Sequence, residues 1–153
     1  MKIKTLLLTV LTTLIQPVIA EEDLYDLGHK LATCSGAFSQ MSNISTILKQ
    51  DADAKLQSQL SNGYKVAAVV MFTTDKMKNK IAWSSANGIH DTAVTRWEAL
   101  LGTNNKSKFI TNFNNDDNKE FSSNFNELID NIKICTLYDE LVELSVKIMR
   151  KSL

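Results

Sequence analysis

The side chains in this chain that could carry chemistry are few. There are two cysteines, Cys34 and Cys135, two histidines, His29 and His90, and two tryptophans, Trp83 and Trp97. Cysteines separated by 101 positions cannot form a Cys-x-x-Cys redox pair, and no Cys-x-x-Cys-His haem attachment motif is present. A nucleophilic thiol needs an activating base on its own side of the helix. His29 lies five residues before Cys34, which puts it on another face of a helix. Two cysteines in an exported chain read instead as one structural disulfide.

His90, followed by Asp91, falls on the same helical face as the tryptophans. A lone histidine there packs more often than it ligates. Zinc takes three or four ligands, and His29 is the only other imidazole. Asp116-Asp117 lies in an Asn-rich stretch without the ligand spacing of a calcium loop. Nothing sets His90 and a methionine at a haem-ligand spacing. No metal and no cofactor are therefore expected. Phosphate-binding glycine loops, nucleophile elbows and supported carboxylate pairs are missing as well. The chain reads as a non-enzyme. Trp83, His90 and Trp97 are left as a ligand or partner surface, because their spacing aligns them on one stripe.

The ends of the chain place it in a compartment. Lys2 and Lys4 precede an uncharged run from Thr5 to Ile15, then Gln16-Pro17, then Val18-Ile19-Ala20. This is the pattern of a signal peptide over residues 1–20, cleaved before Glu21. It is short for a membrane span. The mature domain is then 21–153, periplasmic or secreted. With the two leader lysines gone from 17 basic residues, 15 face 17 acidic ones, a net charge of −2. That balance makes no case for nucleic acid or for stable insertion in a membrane after cleavage. Asn43-Ile44-Ser45 and Asn105-Lys106-Ser107 match glycosylation acceptors, but such triplets arise by chance.

These residues must be positioned by helices. The only proline, Pro17, lies in the leader, so nothing in the mature chain forbids long helices. Residues 24, 27, 31, 34, 38, 41, 45 and 48 are spaced three and four apart and predict a first helix. A second starts near Asp51. The apolar stretch Tyr64 to Phe72 could pass for a strand, but the helix formers leading into it favour a helix. A third covers about 75–101, with Asn87-Gly88 as a kink or turn. Residues 102–118 read as a loop, with Phe109, Ile110 and Phe113 pinning a short helical turn. The last helix runs from about Lys119 to Met149. The expected fold is all-α: a single-domain antiparallel helical bundle of about four helices, its first and last helices paired and disulfide-linked.

If Cys34 bonds Cys135, antiparallel partners in those two helices have numbers summing to 169. Leu48 then meets Phe121, Met41 meets Leu128, Leu31 meets Tyr138 and Leu27 meets Val142, apolar against apolar, whereas Ser45 opposite Asn124, Phe38 opposite Asn131 and Leu24 opposite Ser145 break the pattern. The small residues Ala32, Ser35, Gly36 and Ala37 around Cys34 would let that partner helix approach. Such a bundle is expected to work by binding another protein, as an inhibitor, chaperone-like factor or accessory subunit. A small apolar-ligand carrier with a pocket between the middle helices is the alternative.

The crosslink closes a loop of about 100 residues, worth about 4–5 kcal/mol in the chain-entropy model, against a typical domain stability of about 5–15 kcal/mol. Cys34→Ser is expected to stay folded and to melt well below the parent. Intact-mass analysis of the exported protein should show the oxidised pair, and two free thiols there would sink the assignment.

Overall fold

A computed structural model describes residues 23–152. The segment expected to be a signal peptide, residues 1–20, lies outside the described residues. Within them the chain is helical throughout, with no strand. The elements are α1 (Leu24–Ile47), α2 (Asp51–Thr74), α3 (Asn79–Leu101), α4 (Lys106–Phe113) and α5 (Lys119–Cys135). A 3-10 turn, Thr136–Tyr138, leads from α5 into α6 (Asp139–Ser152). Counting α5, the turn and α6 as one bent rod, there are five helices where about four were expected. The extra one is α4.

The Asn-rich segment hides α4 from a composition-based reading. Asn105 Oδ1 accepts from Lys108 N at 3.0 Å, and Asn118 Oδ1 accepts from Phe121 N at 3.1 Å. These asparagines cap α4 and α5, taking up amides that the first turn of a helix leaves without partners. Phe109 is fully buried, and the rings of Phe109 and Phe121 lie 5.6 Å apart. The aromatics thus pin this segment as expected, but onto a two-turn helix.

Asn62-Gly63 and Asn87-Gly88 do not break the chain; both lie inside helices. The true breaks come after Leu48 and after Asp75. At each, the amide two residues past the cap bonds back to a helical carbonyl: Gln50 N to Ser45 O (2.8 Å) and Met77 N to Phe72 O (3.0 Å). This Schellman geometry needs a left-handed residue between, normally glycine. Here it falls on Lys49 (φ 60°) and Lys76 (φ 70°).

Three contacts in sequence order fix how α1 and α2 run. Ser42 meets Ala54, Ser35 meets Ser61, and Gly28 sits against the Phe72 ring. Numbers rise on α1 as they fall on α2, so the pair is antiparallel. Against α3 they rise together: Ser35 bonds His90, Gly36 abuts Ala93, and Gln40 bonds Thr103 just beyond α3. Helices α1 and α3 are parallel neighbours in direct contact, and both also pack on α2.

Cys34 and Cys135 are bonded, with Cα atoms 5.7 Å apart. Helix α5 runs antiparallel to α1. Its first turns share a core with the far end of α1, where Phe121 and Leu128 cluster with Ile44 and Ile47. Beyond Cys135 the expected register is replaced. The 3-10 turn bends the rod, and α6 packs on α2, where Asp139 meets Tyr64 and Val142 reaches Gly63. Tyr64 sits at the bend. Its single hydroxyl proton has two acceptors within reach, the Cys135 carbonyl at 2.5 Å and Asp139 Oδ1 at 2.6 Å, which ties α2 to the junction of α5 and α6. Burial, then the Asp139 carboxylate, raise the Tyr64 pKa and keep its proton on.

Relieving the left-handed lysines should stabilise the fold. Lys49→Gly and Lys76→Gly, both at exposed positions, are each expected to add about 0.5–1 kcal/mol in urea denaturation. Loss of stability at either site would contradict the turn geometry.

Candidate functional site

Small residues bring the first three helices together, and this closeness decides where space is left. A Cβ on Gly36 would sit 2.5 Å from Ala93 Cβ and 2.8 Å from the His90 carbonyl oxygen. On the neighbouring side of α1, Ser35 Oγ donates to Ser61 O at 2.7 Å, and Ser61 Oγ donates back to Ser35 O at 2.8 Å. The small-residue stripe therefore serves α2 and α3. The disulfide partner α5 was the expected beneficiary.

His90 is buried in this contact, with Nδ1 2.8 Å from Ser35 Oγ. The pair looks like a serine nucleophile beside its base, but the proton count opposes that role. The Ser35 hydroxyl has one proton and lies 2.7 Å from the Ser61 carbonyl, which can only accept. When that carbonyl takes the proton, His90 donates from Nδ1 and does not draw a proton from Ser35. Ser35 is fully buried as well. Desolvation, then repulsion from Lys65, lower the His90 pKa, and Asp91 offsets part of this. His90 is thus a neutral packing histidine at pH 7.

Trp97 is also buried, but it faces a groove on the other side of α3. The groove measures about 550 Å³ and lies between α1, α3 and α5. Ala37, Ile89, Ala93 and Trp97 line it with the disulfide. Arg96 stacks 5.1 Å above the Trp97 ring and bonds Glu127 on α5 at 2.6 Å, bridging α3 to α5 across one side. That pair is solvent-exposed and contributes under about 1 kcal/mol. His29, Lys30 and Asn131 supply polar lining. Ile134 lines the groove while remaining 58% exposed, and nearby Leu137 is 72% exposed.

Of the three stripe residues, then, Trp97 lines the groove, His90 turns toward α1 and α2, and Trp83 is 36% exposed near the start of α3. The structure does not bring them together. A seven-residue step drifts about 20° around a straight helix. Ala82 and Leu101 take the buried positions at the ends of α3, leaving Trp83 and Leu100 outward. Sequence reasoning missed Gly88, which lines the groove with nothing within 4 Å of where its Cβ would be. Its significance depends on α1 and α5 standing apart there, and no local pattern reports that.

Among the described residues, no group of three or more His, Cys, Asp or Glu is placed to hold a metal ion, and no helix is long and apolar enough to cross a membrane. No protein-family model, curated protein or solved structure matches this chain.

The lowered His90 pKa has a testable sign. The folded state binds a proton less readily than the unfolded chain, whose histidine titrates near 6.5. Its contribution to stability is complete above that pH and is lost as pH falls below it. The melting temperature should drop by a few degrees from pH 7 to pH 5, a change on the order of 1 kcal/mol. His90→Gln, which can still donate to Ser35, should flatten that slope. An equally steep slope in the variant would remove His90 as its source.

Proposed function

We propose that this protein is an exported, non-enzymatic helical bundle that binds another protein, in the periplasm or outside the cell, through the groove between α1, α3 and α5. The observation that carries the reading is the groove's construction. It is open along one side, lined by Trp97, alanines and the disulfide, and edged by exposed Ile134. Large apolar side chains beside an apolar recess are the usual seat of a partner's anchor residue. The formed disulfide and the lack of a membrane-crossing helix among the described residues are compatible with export. An inhibitor, a chaperone-like factor or an accessory subunit would use such a surface alike.

The groove's volume favours a second reading, an apolar small-ligand carrier, since ligand pockets occupy roughly 300–1,000 Å³. Its open side and exposed lip favour the protein.

Gly88 supplies the test. Gly88→Leu places a side chain at the groove, where its Cβ meets nothing within 4 Å, and it improves helix propensity by up to about 1 kcal/mol; circular dichroism checks that the variant is folded. With a photo-crosslinking residue at Ile134, the exported protein should give one discrete protein adduct. Gly88→Leu should reduce that adduct roughly tenfold, the effect of about 1.4 kcal/mol. An adduct indifferent to Gly88→Leu would refute the groove as the site. A bound molecule of small mass in the native protein, with no protein adduct, would establish the carrier reading instead.

A further inference from the structure

A second surface lies at one pole of the bundle, away from the groove floor. Because α1 is antiparallel to α2 and parallel to α3, the start of α1, the end of α2 and the start of α3 share an end. Helix α6 ends there too. Backbone angles stay right-handed helical at Cys135 (φ −59°, ψ −38°), Thr136 (φ −61°, ψ −16°) and Asp139 (φ −57°, ψ −42°). Such angles bend a rod and do not reverse it. Helix α6 therefore continues the sense of α5, antiparallel to α1, toward the α2–α3 turn.

This pole gathers Lys76, Lys78 and Lys80 around the turn with Arg150 and Lys151 at the end of α6, all exposed. Among the described residues none of the five has a carboxylate partner. Lys147 is paired with Glu143 at 3.6 Å. Among the described residues the acidic groups at this end are Asp23, Asp26 and Asp75, and Asp23 caps α1. Interleaved with the cations are exposed apolar and aromatic side chains: Ile81 at 52%, Tyr25 at 45% and Trp83 at 36%. Tyrosine and tryptophan amid lysines make up the composition that settles at the headgroup level of a bilayer. The net charge of the mature chain conceals this, because the acidic residues lie mostly elsewhere.

Chain connectivity points the same way. The uncharged run Thr5 to Ile15 precedes Asp23 by only eight residues. The segment read as an export leader therefore joins the fold at this pole, which would meet the membrane first during export.

We infer that the pole formed by Tyr25, Lys76, Lys78, Lys80, Ile81 and Trp83 docks reversibly on an anionic phospholipid surface. The cations approach the headgroups, and Trp83 and Ile81 enter the interfacial layer. Docking is peripheral and leaves the groove open.

The test is flotation of the mature protein, Glu21 to Leu153, with vesicles of phosphatidylcholine alone or containing about one-third phosphatidylglycerol. Binding is expected only with phosphatidylglycerol, and it should weaken with added salt. Each lysine near the surface is worth about fivefold in partitioning, so Lys76→Gln with Lys78→Gln and Lys80→Gln should weaken binding roughly tenfold or more. Brominated lipid should quench the tryptophan emission of the parent and not that of Trp83→Phe, because Trp97 is buried. Circular dichroism and the intact disulfide verify that the variants are folded. Equal binding to neutral vesicles, no binding to either kind, or quenching that persists in Trp83→Phe would each overturn the proposal. So would a soluble acidic protein captured at this pole when vesicles fail to bind. None of these outcomes bears on the groove, which Gly88→Leu tests separately.

Discussion

The rest of the fold depends on one close approach, where α1 presents consecutive small residues to two helices at once. Ser35 exchanges hydrogen bonds with Ser61 on α2, while Gly36 lets the backbone of α3 come within reach at His90 and Ala93. A side chain at Gly36 would overlap both atoms it meets, so the α1–α3 spacing has no slack there. Burying Ser35, Ser61 and His90 is tolerable because each has a partner in the same small network. With three helices locked at this point, the remaining helices must fit around them.

Helix α5 fits incompletely, and the groove results. It contacts α1 and α3 less extensively than those helices contact α2 or each other. The disulfide and the Arg96–Glu127 bridge hold it near them without filling the space between. The crosslink thus acts where packing is thin. Its entropic contribution replaces apolar area that a better-filled interface would have supplied. Nearby, the Tyr64 hydroxyl ties α2 to the junction of α5 and α6, where the chain passes from α1 onto α2.

These features bear on function by separating polar chemistry from exposed apolar surface. The serine–histidine network, the most enzyme-like feature, is sealed in the core with its protons committed. The groove and the cationic pole are open to solvent. On the binding role proposed above, specificity would rest on surface shape and charge placement.

Much of this was legible from residue order alone. Helical periodicity, the lack of proline after Pro17 and the two cysteines determined an all-helical fold with Cys34 bonded to Cys135, and the length of the first helix to within one residue. Those signals are local or pairwise, so they survive in a linear reading. The sequence also exposed the aromatics that anchor α4, although asparagine capping disguised the helix as loop. The register beyond Cys135 was not legible, because there the chain meets α2, whose buried Tyr64 bonds the Cys135 carbonyl from 71 residues away. Nor was the split of the Trp83, His90 and Trp97 stripe, which depends on which neighbour each turn of α3 meets. The groove at Gly88 and the pole at Lys76 to Trp83 exist only because of helix order and direction. Such surfaces join residues from separate helices, and only tertiary structure sets the distances between them.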